Sequence, residues 1–391
     1  MQFRTRAIHV GHHADPHTGA VVPPIHLAST FVQPGAGEWG PYNYARSGNP
    51  TRNAVEEVVA SLEGCGPGTD HPEGGALAFA SGMAAIHGVT SSLKAGDHVL
   101  AGSDLYGGAY RLFHKVMNRA GVEVSLADAT DLTAFEKGFR PNTRLVWVES
   151  PGNPRMSIVD LAAVAELAHK HGALAACDNT FATPVLTRPL ELGLDIVMHS
   201  ATKYYGGHSD LMGGLLAARD KAVYEDLKFI QNATGGIMDP LSCFLCSRGV
   251  KTLELRVREQ CRSAQRLAEW LDQHPAIGRV LYAGLPAHPG HAIAKRQMQG
   301  GFGAMITFEL SAGFEAGKRL CKATRLFQLA VSLGAVESLI EQPASMSHAS
   351  YDAADRAKHG ITDGMIRLSV GLEAYDDLQA DLEQAIAAAT R

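Results

Sequence analysis

From about Asn49 onward, short apolar runs alternate with amphipathic stretches. Leu145-Val146-Trp147-Val148 reads as a buried strand, and the turn-rich Ser150-Pro151-Gly152-Asn153-Pro154 follows it. Asp160 then caps a helix whose apolar positions Leu161, Val164, Leu167 and Ala168 recur at helical spacing, and Gly172 stops it. Ala173 to Cys177 forms the next strand, which completes a βαβ unit. Val99-Leu100-Ala101 and Ile196-Val197-Met198 suggest similar units. This pattern predicts an α/β fold built on a mostly parallel sheet with helices on both faces.

The two ends of the chain read differently. Pro23-Pro24, Pro34-Gly35-Ala36-Gly37 and Gly40-Pro41 space helix breakers through the first forty residues, predicting an extended arm rather than packed helices. After Gly236 a long helical stretch, Val250 to Asp272, precedes the alternating segments Met305-Ile306-Thr307-Phe308 and Ile366 to Val370. We read three parts: an N-terminal arm over 1–48, a large domain over 49–235 and a smaller α/β domain over 236–391. Gly64 to Gly75 reads as a surface loop with no assigned role.

Composition narrows the function. Thirty-five Lys+Arg against 40 Asp+Glu give a net charge of −5, without the basic stripe of a nucleic-acid binder. The 391 residues contain six cysteines, too few for a disulfide scaffold, and no apolar stretch long enough to span a bilayer. The opening residues lead into no apolar signal core, so a cytoplasmic protein is expected.

In a parallel sheet, ligands gather at the carboxyl ends of the strands. Lys203 follows an apolar run, with Ser200 and Thr202 beside it. A desolvated lysine there can form a Schiff base while the hydroxyls hold a phosphate; the alternative is a surface lysine in a turn. Asp178 closes another strand and could pair with a protonated pyridine nitrogen, or simply cap a helix. Ser81-Gly82-Met83 opens a helix with small residues suited to an anion, or to tight packing. It matches neither a Walker A loop nor a G-x-G-x-x-G fingerprint, which counts against a nucleotide-dependent oxidoreductase, the different-class alternative. Tyr44 and Arg46 could clamp a phosphate, Tyr106 is flanked by glycines that admit a flat ring, and Arg367 could bind a carboxylate. Cys243-x-x-Cys246 has no partner pair and reads as core packing; we assign no metal site.

Six ordered stretches carry a wider resemblance: Tyr44 to Arg52, Phe79 to Met83, Tyr106-Gly107-Gly108, Asp178 to Phe181, His199 to Tyr204, and Arg367 to Gly371. Together they resemble the Cys/Met-metabolism family of pyridoxal-phosphate enzymes, which includes cystathionine γ-lyase, cystathionine γ-synthase and methionine γ-lyase. The resemblance implies an aspartate-aminotransferase-like, fold type I architecture with pyridoxal 5'-phosphate as cofactor. It implies Lys203 as the Schiff-base lysine and proton shuttle, Asp178 on the ring nitrogen, and Tyr106 stacked on the ring as a second catalytic group. Gly82, Met83, Ser200 and Thr202 would bind the phosphate. Tyr44 and Arg46 would reach the phosphate of a neighbouring subunit in a homotetramer, while Asn153, Ser332 and Arg367 would orient the cofactor's hydroxyl side and the substrate carboxylate.

Within the family, Gly108 is similar to the cystathionine enzymes, whereas methionine γ-lyases carry cysteine there. Val331 stands where cystathionine enzymes usually have glutamate. The expected activity is γ-elimination on cystathionine, giving cysteine, 2-oxobutanoate and ammonia. The alternatives are γ-replacement of an acyl-homoserine by cysteine and a methionine γ-lyase.

Overall fold

Strands buried on both faces read as continuous apolar runs, and the computed structural model, which describes residues 1–347 and 360–390, places them in one seven-stranded sheet. Its strands are β1 (Gly75–Phe79), β2 (His98–Gly102), β3 (Glu123–Ala127), β4 (Thr143–Glu149), β5 (Leu174–Asp178), β6 (Ile196–Ser200) and β7 (Gly214–Ala218). Their order is β1-β7-β6-β5-β4-β2-β3. Pairings from β6 across to β3 are parallel, as expected, whereas β7 runs antiparallel to both β1 and β6.

Alternation along these strands sorts the core. Val99, Leu145, Trp147, Ala176 and Met198 face one buried cluster; Leu100, Val146, Val148, Ala175 and Cys177 face another on the opposite side. Between β4 and β5, helix Leu161–Lys170 begins at Asp160, whose side chain accepts from the Ala163 amide, and Gly172 leaves it at a φ of 71°.

A second sheet of five strands follows: β8 (Ile277–Leu281), β9 (Met305–Leu310), β10 (Gln328–Leu329), β11 (Leu339–Glu341) and β12 (Met365–Ser369), ordered β10-β11-β12-β9-β8. Helix Leu253–Asp272 lays Val257, Cys261, Ala264, Leu267, Ala268 and Leu271 into the largest core cluster, together with β9 and β12. Cys243 and Cys246 are buried in the preceding helix, Pro240–Val250. No helix among the described residues is long and apolar enough to cross a membrane.

Two expectations need correction. Residues Phe3–His9 form a helix, so the first forty residues are not all extended. Phe3 and Ala7, one helical turn apart and ahead of the first proline, pack toward the core, and Ala7 is fully buried. The Gly64–Gly75 segment is likewise not all surface: Cys65 is buried, with its Sγ against the Gly75 carbonyl.

Candidate active site

Parity places three polar groups together at the carboxyl end of the large sheet. Glu149, Asp178 and Ser200 end β4, β5 and β6 and share the face of Trp147, Ala176 and Met198. Beside them opens a cavity of about 460 Å³. Tyr106, Gly82, Met83, Asp178, Ser200, Thr202, Lys203, Asn153, Ser332 and Arg367 all line it. Ten positions read from distant stretches of sequence therefore meet at one place.

One wall is a helix start. Ser81 caps helix Gly82–Thr90 by accepting from the Ala84 amide at 3.1 Å, which leaves the first-turn amides of Gly82 and Met83 without helical acceptors. A Cβ at Gly82 would lie 3.1 Å from the Ser200 hydroxyl, so glycine keeps open the hollow between helix and strand end. Amides plus a hydroxyl around such a hollow suit a phosphate. Thr202 is already engaged, its Oγ1 accepting from the Gly213 amide at 3.1 Å.

The floor is acidic. Asp178 accepts from the Thr180 amide at 2.9 Å, and Thr180 in turn accepts from the Ser200 amide at 2.8 Å, which locks β5 to β6. Burial raises Asp178 above the ordinary carboxylate range. A carboxyl buried this deeply calls for a cationic partner, which the N–H of a pyridinium supplies.

On the far side, Lys203 donates from Nζ to Ser332 Oγ at 2.8 Å. Burial and the positive charge of Arg367 push its amine down to about 8, against the raising influence of Glu341 and Asp178. Ser332 holds a φ of 131°, a left-handed conformation that costs a non-glycine residue energy, and its carbonyl accepts from Arg367 Nη2 at 3.1 Å. Arg367 on β12 also donates from Nη1 to Asn153 Oδ1 at 2.9 Å and pairs with Glu341 at 3.0 Å. Its buried Nε has no protein partner, a spare donor facing a carboxylate-sized need.

Tyr44 and Arg46 do not line this cavity. Arg46 lies over the Tyr44 ring, 5.7 Å from its centroid, and donates to the Asn232 carbonyl at 2.5 Å. Three charged cavity residues were given no role from the sequence: Glu149, Glu341 and Arg111. Glu149 carried a usable signal, because it ends a parallel strand in register with Asp178. Glu341 ends a three-residue strand that has no readable pattern. Arg111, at the end of the short helix Gly107–Arg111, looks like any exposed helix arginine.

Comparison with known proteins finds a family model and relatives that span nearly the whole chain. A family model described as Cys/Met metabolism PLP-dependent enzyme matches residues 4–387. Cystathionine beta-lyase of Coxiella burnetii is 51% identical over 384 residues, covering 98% of this chain and 97% of that one. Cystathionine gamma-synthase of Mycobacterium tuberculosis is 48% identical over 385 residues, covering 98% and 96%. The crystal structure of cystathionine gamma-lyase from Lactobacillus plantarum superposes with a TM-score of 0.95 at 45% identity, covering 100% of both chains.

Proposed function

The chain belongs to the Cys/Met metabolism PLP-dependent enzyme family, and from that premise we propose that it cleaves cystathionine by γ-elimination to cysteine, 2-oxobutanoate and ammonia. In this reading Lys203 holds the aldehyde end of pyridoxal 5'-phosphate, Asp178 its ring nitrogen and Tyr106 its face, with Gly82, Met83, Ser200 and Thr202 on its phosphate. When bound, the cofactor supplies the electron sink that lets a carbanion form at the substrate Cα.

The side chains divide the remaining work. Arg367, oriented by Asn153 and Ser332, binds the α-carboxylate. Freed by the substrate amine, Lys203 would take the proton from Cα and hand it back to the bound substrate, so that the neutral amine could take a second proton, from Cβ, as the thiolate leaves from Cγ. An amine near 8 suits that task, because both its protonated and neutral forms are populated close to neutrality. Tyr106, on the same cavity, would carry that second proton to the leaving thiolate. The observation that carries the choice of substrate is a second arginine, Arg111, on the same cavity. Cystathionine has a distal carboxylate for it to bind, and methionine has none.

β-Elimination, which stands outside the reactions read from the sequence, is a second reading, favoured by the name of the Coxiella burnetii relative. We assay cystathionine and identify the keto acid. The γ reading expects 2-oxobutanoate with cysteine, whereas pyruvate with homocysteine overturns it in favour of β-elimination. Cystathionine formed from O-succinylhomoserine and cysteine, without keto acid, overturns it in favour of the synthase.

The reading extends to assembly. Tyr44 and Arg46, outside this chain's own cavity, serve the phosphate of a neighbouring chain in a homotetramer working in the cytoplasm. The chain divides functionally into an arm to residue 48, a cofactor domain to 235 and a small domain beyond. Mixing Arg46→Ala chains with Lys203→Ala chains restores some activity if sites are shared, and none if they are not.

A further inference from the structure

Glu149 has no part in the scheme above, yet it is buried at the cavity floor and both of its carboxyl oxygens lie 3.0 Å from the Tyr106 amide nitrogen. That amide precedes helix Gly107–Arg111, which has no side-chain cap. Tyr106 itself is 43% exposed, and Gly107 and Gly108 follow it. A Cβ at Gly108 would collide with the Tyr106 ring and come within 2.7 Å of Met83 Sδ, so the ring sits directly on bare backbone. An exposed aromatic leading into two glycines has little of its own to fix it. Glu149 supplies the tether, and its register with Asp178 ties that tether to the strand end on which the ring nitrogen of the cofactor would rest.

We propose that Glu149 is a positioning residue: it fixes the Tyr106 ring above the Asp178 strand end and so sets how firmly a flat heteroaromatic is clasped between them. The inference rests on the reading that this cavity takes pyridoxal 5'-phosphate. Glu149 is raised well above the ordinary range by burial, with Asp178 and Asp104 adding to the effect. Glutamine keeps an accepting oxygen within reach of the Tyr106 amide, so it tests the contact apart from the carboxyl group.

The test titrates apoprotein with pyridoxal 5'-phosphate and follows absorbance, with urea unfolding of each apo variant measured in parallel. Glu149→Ala and Glu149→Asp, the latter withdrawing the carboxyl from the amide, each weaken binding about tenfold. Glu149→Gln, whose amide oxygen still accepts from Tyr106, stays within about threefold of wild type. The double variant Tyr106→Ala/Glu149→Ala binds no more weakly than Tyr106→Ala, because the glutamate acts through the tyrosine. Additive losses overturn the proposal, as does wild-type binding in Glu149→Asp or a Glu149→Gln as weak as Glu149→Ala. Should Glu149→Ala not fold, the Glu149→Asp and Glu149→Gln pair decides alone. Failure of the cofactor reading looks different: wild type then shows no absorbance band that Lys203→Ala removes.

Discussion

The two walls of the cavity use charge in opposite ways. On the large-sheet side, Glu149 and Asp178 bring two buried carboxyl groups to adjacent strand ends with no cation among the hydrogen-bond partners described above. On the small-sheet side, Arg367 is matched by Glu341 and threaded through Asn153 and Ser332. The first wall is electrically incomplete until a cation arrives, and the second is nearly complete already, with Arg367 Nε and Glu341 Oε2 left spare. Burial makes both arrangements matter, since charge removed from water is costly unless paired. The contrast supports the proposal that the acidic wall takes a resident group with a protonated nitrogen and the basic wall a visiting carboxylate.

Lys203 stands between the walls, and removing it breaks the comparison most completely. Lys203→Ala is expected to lower turnover of cystathionine by about 10⁴-fold or more, measured as keto acid release. Next comes the basic wall. Arg367→Met is expected to lower kcat/KM by about 10² to 10³, mainly through KM, as a charge-assisted carboxylate contact is lost. It also strands Glu341 and costs about 3–5 kcal/mol in urea unfolding. Arg367→Met/Glu341→Leu recovers most of that stability without recovering KM, which separates pairing from substrate binding.

The pH dependence of the apoprotein sharpens the comparison further. Modification of Lys203 by trinitrobenzenesulfonate rises with pH with a midpoint near 8. Removing the Arg367 charge moves the midpoint up, whereas Glu341→Gln moves it down, because these side chains respectively lower and raise the amine. In stability, the folded protein binds fewer protons than the unfolded chain between about 8 and the ordinary lysine value of 10.5. The penalty of burying the charged amine is therefore full below 8 and eases as pH rises through that window. The smallest effect belongs to Ser332→Ala, which removes the Lys203 partner and is expected to lower kcat about threefold to tenfold.

The walls also differ in how far the sequence revealed them. Asp178, Ser200 and Lys203 follow apolar runs whose parity and direction are visible in the chain, so strand-end logic finds them. Glu149 obeys the same logic and was overlooked only because no chemistry was attached to it. Ser332 and Asn153 were identified by resemblance, and Arg367 was only an open candidate until then, since a single strand arginine looks the same whether it faces water or a ligand. Glu341 was invisible: its strand has three residues, and its importance comes entirely from the β12 residue opposite, Arg367. The N-terminal helix was missed because proline spacing dominated the reading, although the Phe3 to Ala7 interval precedes every proline.

One peptide links the two working groups of the basic wall: Ser332 accepts from Lys203 through its hydroxyl and from Arg367 through its carbonyl. The amine and the guanidinium thus share one anchor, and Ser332→Ala takes away the amine's half while leaving the backbone carbonyl that Arg367 uses.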